Sequence, residues 1–284
     1  MVSLSLQTRL ALGELGTHPQ RRFGQNFLVD VNVVSRMIQA ANIDPTSTAL
    51  EIGPGLGVLS ESLASVSRRL YLVEIDTVLA ERLRQRFSQC ANVQVVTADF
   101  LSLDLDSTFL ESPIHIIASL PYNVATPILF RLLEHRRRFP EATVMLQKEV
   151  AERLSAKPGT KEYGALTVLM QFYATITKIM TVQSGSFFPA PKVQSQVVKL
   201  MFQEAPRVSV RDERHFQQVV KAAFAQRRKT LRNTLKAAGY HDLETLSVKS
   251  GIDFQRRGET LRLEEFATLA NMLDEESQSK NGEA

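Results

Sequence analysis

Three glycines lie within five positions in the stretch Glu51-Ile52-Gly53-Pro54-Gly55-Leu56-Gly57, directly after an apolar run at 48–50. A strand-like run, a glycine turn and a helical pattern therefore follow one another here. Glycine has no Cβ, so such a turn can adopt positive φ and pass close to a small ligand. A turn that only reverses the chain is the alternative, and the glycines by themselves leave it open.

A carboxylate follows this turn at a distance typical of nucleoside-binding folds. Glu74 ends the next predicted strand, 21 positions after Gly53, where such folds place the acid that binds ribose hydroxyl groups. The G-x-G-x-G spacing lacks the third glycine of the dinucleotide motif, and the sequence has no G-x-x-x-x-G-K-[ST] for a triphosphate. We therefore expect a nucleoside without phosphates at Gly53, Gly55 and Glu74, and S-adenosylmethionine is the common one.

Ser119-Leu120-Pro121-Tyr122 ends another predicted strand and supplies groups suited to methylation of adenine N6. This amine is a poor nucleophile because its lone pair is delocalised into the ring, so a catalyst must hold it with two hydrogen-bond acceptors. Ser119 and the carbonyl of Leu120 or Pro121 can be those acceptors, and Tyr122 can stack on a flipped base. No strong base is needed, since the methylated amine loses its proton readily. Taken alone, the tetrapeptide is also typical of an ordinary β-turn.

Asp99 and two phenylalanines are further candidates. Asp99 follows a third predicted strand, where it can accept a hydrogen bond from a cofactor adenine while Phe100 lies against the ring. The alternative is that Asp99 caps a helix. Phe187 and Phe188 stand in a long proline-stiffened loop. We expect one of them at the target base and the other in the core.

Positive charge is concentrated toward the C-terminal end. The chain has a net charge of +4, whereas residues 207–273 contain 13 Lys and Arg against 8 Asp and Glu, a net of +5. Arg227, Arg228, Lys229 and Arg232 are expected on a helix face opposite an apolar one, and 136–138 is a second basic cluster. A solvated helix face is the usual explanation of such runs. Beside an adenine-methylating site, binding of RNA phosphates becomes the better interpretation.

Strand-like and helical runs alternate between residues 48 and 150. The strands are predicted at 48–52, 70–75, 93–97, 114–118 and 143–147, and the helices at about 57–66, 77–88, 126–138 and 148–155. This alternation predicts a mostly parallel sheet with helices on both faces. The glycine turn, Glu74, Asp99 and Ser119 all fall at carboxyl ends of strands, where such sheets bind ligands.

The remaining pattern predicts a second, helical domain. After a helix near 163–174, strands at about 175–183 and 195–202 have too short a connection for a crossover, so they should form an antiparallel hairpin. Helices follow at 212–238, 242–250 and 261–273. We therefore expect an α/β domain at 1–205, a small all-α basic domain at 206–273 and a disordered tail at 274–284.

Bulk composition restricts the class of protein. The 284 residues are 44% hydrophobic and 23% charged, which is ordinary for a soluble globular chain. The single cysteine, Cys90, excludes a disulfide framework or a cysteine-rich zinc site and fits a reducing compartment. The sequence contains no stretch that approaches 18 apolar residues and no apolar segment of signal-peptide length near its start. We expect a cytoplasmic protein with no membrane partner.

The motifs resemble, in order and over nearly the whole chain, those of the small-subunit ribosomal RNA dimethyladenosine transferase family. Members of that family dimethylate two adjacent adenosines near the 3′ end of this RNA. The similar segments are 23–28, 51–57, 71–76, 146–150, Tyr163-Gly164, 191–193 and 226–232. The macrolide-resistance enzymes, which act on large-subunit RNA, share the first few but are less similar at the basic C-terminal run.

This resemblance implies a Rossmann-like class I methyltransferase sheet and a monomer that acts on the assembling small ribosomal subunit. It implies S-adenosylmethionine contacts at Asn26, Leu28, Gly53, Glu74, Asp99 and Ser119, with Tyr122 and Phe187 at the target base. The family usually has Asn at the position of Ser119. A serine hydroxyl is shorter, and it can accept an N6 hydrogen bond only if the base or the loop moves closer.

Three hypotheses follow from the sequence. The main one is S-adenosylmethionine-dependent N6,N6-dimethylation of adenosines in small-subunit ribosomal RNA. The second is an RNA-binding ribosome assembly factor whose transferase site is weakened by Ser119. The third is an N6-adenine DNA methyltransferase, because Ser-Leu-Pro-Tyr loosely resembles the tetrapeptide of those enzymes.

Overall fold

The structure is a computed structural model that describes residues 3–281, with side chains up to Asp274. The strands are β1 Phe27–Leu28, β2 Thr48–Ile52, β3 Arg69–Glu74, β4 Val93–Thr97, β5 His115–Ser119, β6 Glu141–Gln147, β7 Ala174–Val182, β8 Phe187–Phe188 and β9 Ser195–Phe202. The helices are α1 Leu4–Glu14, α2 Val31–Ala41, α3 Val58–Val66, α4 Thr77–Arg86, α5 Leu105–Thr108, α6 Ala125–Glu134, α7 Lys148–Leu154, α8 Ala165–Tyr173, α9 Glu213–Phe224, α10 Leu231–Ala237, α11 Leu243–Ser250 and α12 Leu263–Asn281.

A seven-stranded sheet in the order β4-β3-β2-β5-β6-β9-β7 confirms the predicted architecture. The pairs β3–β4, β2–β3, β2–β5 and β5–β6 are parallel, whereas β9 runs antiparallel to β6. β7 and β9 are neighbours, as predicted, but β9 lies between β6 and β7. All five residues of β2 are buried, as expected for a central strand covered on both faces.

Local sequence signals set the helix starts around this sheet. Asp30 caps α2, as predicted, by accepting hydrogen bonds from the amides of Asn32 and Val33. Asp76 caps α4 in the same way at the end of the β3 turn. The face of α2 that carries Val34 and Met37 packs in a buried cluster with residues of the sheet. These caps and apolar faces hold the carboxyl ends of β2 and β3 in place.

The chain divides into two compact units. The first comprises the chain up to Ala151 together with Thr175–Glu204, and the second comprises Glu152–Ala174 and the chain from Ala205 onward. The prediction assigned the helix near 163–174 to the first domain, whereas the structure groups α8 with the C-terminal helices. The reason is its packing, since Phe172 of α8 stacks on Phe216 of α9 with ring centroids 4.1 Å apart.

Two predicted boundaries in the second unit are corrected. The helix predicted at 212–238 is broken, because the amides of Leu231 and Arg232 donate to the carbonyls of Arg256 and Phe254, and Thr230 caps a new helix. The basic residues 227–229 therefore lie in the loop between α9 and α10.

The second correction concerns the tail at 274–284, which was predicted to be disordered. Helix α12 continues to Asn281, and the rest of the predicted tail lies outside the described residues. The segment 274–281 is rich in Glu, Gln, Ser and Lys and has no glycine or proline to end the helix. Within residues 3–281, no helix has the length and apolar character needed to cross a membrane.

Close packing of α9 against the turn at Gly258 yields a stability prediction. A Cβ at this buried position would lie 2.7 Å from the carbonyl oxygen of Ala223, a backbone atom that cannot move aside easily. We expect Gly258→Ala to lower the free energy of unfolding by about 1–3 kcal/mol through overpacking. Urea unfolding followed by circular dichroism measures this.

Gly185→Ala is the matched control, because a Cβ there would have no heavy atom within 4 Å. Its expected change is within about 0.5 kcal/mol. Equal stability of the two variants would mean that α9 and the turn are packed less tightly than described.

Candidate active site

A cavity of about 240 Å³ opens in the first unit at the carboxyl ends of β2, β3 and β5. Every residue predicted for the cofactor or for catalysis lines it, with the exception of Asp99. The predicted residues in its wall are Asn26, Leu28, Gly53, Gly55, Glu74, Ser119, Leu120, Pro121, Tyr122 and Phe187. The parallel order of the strands brings these positions together from distant parts of the chain.

The glycine turn between β2 and α3 is bonded to the carboxylate of Glu74. The Gly55 amide donates a hydrogen bond of 2.9 Å to Glu74 Oε2. Gly53 and Gly55 have φ angles of +68° and +59°, a region that favours glycine. A Cβ at Gly55 would lie 3.2 Å from two ring atoms of Phe27. The turn therefore needs glycine both for its conformation and for its close contact with this ring.

Two buried carboxyl groups, those of Glu74 and Glu51, line the cavity. Glu74 is 4% exposed and Glu51 is 2% exposed. The Asp76 amide donates to Glu74 at 3.0 Å, and the Ser60 hydroxyl donates to Glu51 at 2.5 Å. Burial raises the pKa of Glu74, and it raises the pKa of Glu51 to about 8, with a smaller contribution from the charge of Glu74. A cationic ligand would stabilise the ionised forms of both carboxylates.

The polar loop before β1 is held between two strand ends. Gln25 donates a 3.0 Å hydrogen bond to Asp76, just beyond β3. Gly24 lies against the turn after β5, where a Cβ would come within 2.7 Å of the side-chain oxygen of Asn123. Asn26 donates to the Gly24 carbonyl at 3.1 Å, and no donor among the described residues reaches its side-chain oxygen, which can therefore bond a ligand. The loop therefore forms an edge of the cavity.

A short antiparallel ribbon of β1 and β8 joins the predicted cofactor loop to the predicted base-binding loop. Leu28 pairs with Phe187, and Phe27 pairs with Phe188. Phe187 is 5% exposed, lines the cavity and belongs to the same buried cluster as Leu28. Phe188 does not line the cavity, and the guanidinium of Arg9 lies 4.8 Å from its ring centroid. Of the two phenylalanines, Phe187 is the one at the site.

Helix α1 forms part of the cavity wall, which the sequence did not indicate. Its contributing residues are Leu4, Gln7, Thr8 and Ala11. They follow a helical repeat, but Leu6 and Leu10 on the opposite side are 48% and 56% exposed, so the apolar periodicity is blurred. The spacing of small and polar residues on one face was the signal that could have identified this helix.

The turn after β5 leaves one backbone acceptor free. The Leu120 amide donates to the Met145 carbonyl at 3.1 Å, and the Val124 amide donates to the Pro121 carbonyl at 3.2 Å. Across the described residues, no donor reaches the Leu120 carbonyl or the Ser119 hydroxyl. Of the two carbonyls that the sequence left open, that of Leu120 is the one available to a ligand beside Ser119.

Asp99 is the predicted cofactor residue that the structure does not place at the cavity. Its side chain is exposed and accepts a hydrogen bond from the Leu101 amide at 2.9 Å. Phe100 is 4% exposed, with its ring 6.3 Å from that of Phe139 and 5.7 Å from the guanidinium of Arg131. The predicted position of Phe100 beside a ligand is therefore wrong. The alternative of a helix cap is wrong as well, because none of the described helices begins at Asp99 and the next one is capped by Asp104. The bond to the Leu101 amide is that of a turn.

Two of the four predicted RNA-binding residues are paired with acids inside the second unit. Arg227 forms a 3.3 Å salt bridge with Glu259 and also donates to the Lys161 carbonyl. Arg232 forms a salt bridge with Glu244. These pairs tie loops of the second unit together, so both arginines have a structural role that the sequence did not reveal.

Arg228 and Lys229 are exposed in the loop between α9 and α10. Neither side chain has a hydrogen bond or ion pair within the described part of the chain, although the Lys229 amide donates to the Gln226 carbonyl at 3.0 Å. A shallow pocket beside them is lined by Arg228 together with Lys161 and Arg257, and Glu259 is its acidic member. The excess of positive charge there suits a phosphate group.

A sequence-family model described as ribosomal RNA adenine dimethylase matches residues 16–275. The chain belongs to the ribosomal RNA adenine dimethylase family. A ribosomal RNA small subunit methyltransferase A from Syntrophotalea carbinolica is 45% identical over 257 residues, 90% of this chain and 97% of that protein. The protein of that name from Bacillus mycoides is 42% identical over 278 residues, 94% of this chain and 95% of its own length.

Solved structures agree with this assignment. A dimethyladenosine transferase from Plasmodium falciparum superposes with a TM-score of 0.75 at 24% identity, over 88% of this chain and 98% of the other, and establishes the fold. The 23S rRNA methyltransferase ErmE superposes with a TM-score of 0.68 at 27% identity, over 88% of this chain and all of the other. The fold of the chain is thus the one seen in these two solved methyltransferases. As a member of the ribosomal RNA adenine dimethylase family, the protein is an enzyme of the methyltransferase class.

The buried carboxylate of Glu51 makes stability depend on pH. Its pKa is raised from the ordinary 4.5 to about 8, so the folded protein binds this proton more tightly than the unfolded chain. Stability is therefore lost as the pH rises from about 4.5 through 8. Glu51→Gln removes this titration and keeps an oxygen for Ser60. We expect the wild type to lose a few kcal/mol relative to the variant between pH 5 and 9.

Urea unfolding of both proteins at several pH values, without added ligand, measures this difference. Glu74 is present in both proteins, so its contribution cancels apart from its smaller charge interaction with Glu51. Parallel pH profiles for the two proteins would show that Glu51 ionises normally in the folded state.

Proposed function

We propose that this member of the family is an S-adenosylmethionine-dependent enzyme that dimethylates N6 of two adjacent adenosines near the 3′ end of small-subunit ribosomal RNA. The observation that carries the proposal is the meeting of the glycine turn, Glu74 and the Ser119–Tyr122 turn in one cavity. The choice of RNA rests on identity, which is 42–45% to relatives named for the small subunit and 27% to ErmE.

The cavity fits a nucleoside with a positively charged sulfur. The backbone at Gly53 and Gly55 would pass along the cofactor, with Asn26 and Leu28 at its edge. Each carboxylate oxygen of Glu74 accepts one amide bond and keeps a lone pair for a ribose hydroxyl. The negative charge of Glu74 would stabilise the sulfonium through space. The contact of Asp99 with the adenine amine stays a prediction to which the structure adds no support, since Asp99 does not line the cavity.

In the proposed reaction, the main task of the protein is to orient the reactants, and proton transfer is less demanding. S-adenosylmethionine, when bound, supplies a methyl group on a sulfur that leaves with the bonding electrons. Ser119 Oγ and the Leu120 carbonyl would accept the two N6 hydrogens and direct the nitrogen lone pair toward that methyl. Tyr122 and Phe187 would hold the adenine ring between them. The N6 nitrogen would then release a proton to solvent.

RNA binding is assigned to the second unit, in keeping with the predicted division into a transferase domain and a basic domain. Arg228 and Lys229 would contact phosphates, whereas Arg227 and Arg232 hold the loops that present them.

We further propose that the protein acts as a monomer in the cytoplasm on the small subunit while it assembles. An RNA-binding assembly factor with a weakened site is the second candidate, favoured by the short side chain of Ser119. The family match gives no support to the DNA methyltransferase hypothesis.

Transfer of labelled methyl groups to immature small subunits tests the proposed activity. We expect the purified protein to label two adenosines, and Ser119→Ala to lower turnover by about tenfold or more, because one N6 acceptor is lost. A protein that leaves the subunits unlabelled while an authentic dimethylase labels them would contradict the enzymatic proposal.

Ser119→Asn separates the two candidate functions. A large gain in turnover would indicate a weakened site and favour the assembly factor. Turnover that is unchanged would show that serine suffices for the reaction. Mass spectrometry of the labelled RNA identifies the adenosines in either case.

Charge reversal tests the basic loop. We expect Arg228→Glu with Lys229→Glu to weaken RNA binding at least about tenfold. The slope of log affinity against log salt concentration should decrease by the equivalent of about two phosphate contacts. Fluorescence anisotropy of labelled RNA at several salt concentrations measures both effects. Arg227 is left intact, because its pair with Glu259 is structural.

The control is Lys221→Glu with Lys249→Glu, the same charge change at exposed positions of α9 and α11. It should have a smaller effect on RNA affinity. Equal losses of RNA affinity in both double variants would mean that binding depends on the overall charge of the protein. Loss of S-adenosylmethionine binding would indicate that a variant is misfolded.

A further inference from the structure

A hydrogen bond links Tyr122, the residue proposed to stack on the target base, to a buried serine far along the chain. The hydroxyl oxygens of Tyr122 and Ser195 are 2.6 Å apart. Ser195 is completely buried, whereas the ring of Tyr122 lines the cavity. Burial raises the pKa of Tyr122, and either hydroxyl can be the donor in this bond.

Strand order brings the two residues together. Ser119 faces Met145 in the parallel pair β5–β6, and Ser195 faces Gln147 in the antiparallel pair β6–β9. The turn after β5 and the first residue of β9 therefore lie on either side of the carboxyl end of β6. The side chain of Tyr122 spans this strand end to reach Ser195.

Ser195 is also joined to the other aromatic residue of the site. Phe187 precedes it by eight positions, and a single loop connects them. Gln194, at the end of this loop, bonds Gln183 at 2.7 Å and accepts from Lys148 at 3.1 Å. The loop is thus fixed where β9 begins. Ser195 connects the Tyr122 side of the cavity with the segment that carries Phe187.

We propose that Ser195 is a positioning residue that holds the Tyr122 ring in the orientation that receives the target adenine. The proposal rests on the proposed function, since it assigns a base to Tyr122. A tyrosine ring without an anchor can rotate about two side-chain bonds, and a stacking partner that rotates misaligns the amine with the methyl group. The hydroxyl bond removes that freedom before RNA arrives. Ser195 itself is buried and does not line the cavity, so it would act through Tyr122.

A double-mutant cycle in the full chain tests this role. Ser195→Ala and Tyr122→Phe each remove the same hydrogen bond from opposite ends. We expect each to lower kcat on small-subunit RNA by about tenfold, with little change in KM for RNA or in affinity for S-adenosylmethionine. The double variant should be no slower than either single variant. Independent effects that multiply to about a hundredfold would overturn the proposal.

A fluorescent base gives a readout that a purely structural role would not move. RNA with 2-aminopurine at the target position should become less fluorescent when the base stacks in the wild-type site. Both single variants should show weaker quenching at saturating protein. Quenching and kcat equal to wild type in Ser195→Ala would also overturn the proposal.

Ser67→Ala is the matched control, because it removes another buried hydroxyl of the first unit. The Ser67 hydroxyl donates a 2.7 Å hydrogen bond to the Leu63 carbonyl, and neither residue lines the cavity. It should leave kcat and quenching unchanged. If Ser195→Ala does not fold, as judged by melting and cofactor binding, Tyr122→Phe decides the question alone through its own kcat and quenching. An inactive wild type would instead refute the proposed function, which separates the two failures.

Discussion

The hydrogen bond from the Gly55 amide to the buried carboxylate of Glu74 is the contact on which the candidate site depends. It fixes the turn after β2 against the end of β3, and it gives a carboxylate removed from water one of the donors that it requires. Because Gly55 has no side chain, the ring of Phe27 approaches it closely, and Phe27 pairs with Phe188 in the ribbon. The turn at Gly55 therefore sets the distance between the carboxylate of Glu74 and the ring of Phe27. A side chain at position 55 would separate them.

The position of β9 is the second constraint. It lies between β6 and β7 and runs antiparallel to β6, so its first residue stands at the edge of the sheet where β5 ends. Had β7 taken the place beside β6, β9 would lie one strand farther from β5, a distance of about 4.8 Å. The 2.6 Å contact between Tyr122 and Ser195 would then be out of reach. The insertion of β9 thus brings the loop with Phe187 to the turn that presents Ser119.

Features determined by neighbouring residues were predictable from the sequence. The glycine turn, the strands of the parallel sheet and the cap at Asp30 depend on local conformation and on the burial of short apolar runs. Features determined by partners distant in sequence were not. Helix α9 ends early because Leu231 donates to Arg256, and Arg227 is occupied by Glu259. The local sequence contains no trace of those partners, so the pattern alone favoured one long basic helix.

In the proposed mechanism, catalysis would divide between a backbone acceptor and a side-chain acceptor, and the two differ in how they respond to sequence change. The Leu120 carbonyl is held by the bond from its own amide to Met145, so it depends on the backbone at position 120 and not on a polar side chain there. The side chain at position 119 has no such support, and Ser119 is shorter than Asn. A primary amine offers two hydrogens and a monomethylated one only a single hydrogen. In the proposed mechanism, the first transfer would therefore depend on Ser119 more than the second, which the backbone acceptor could direct by itself.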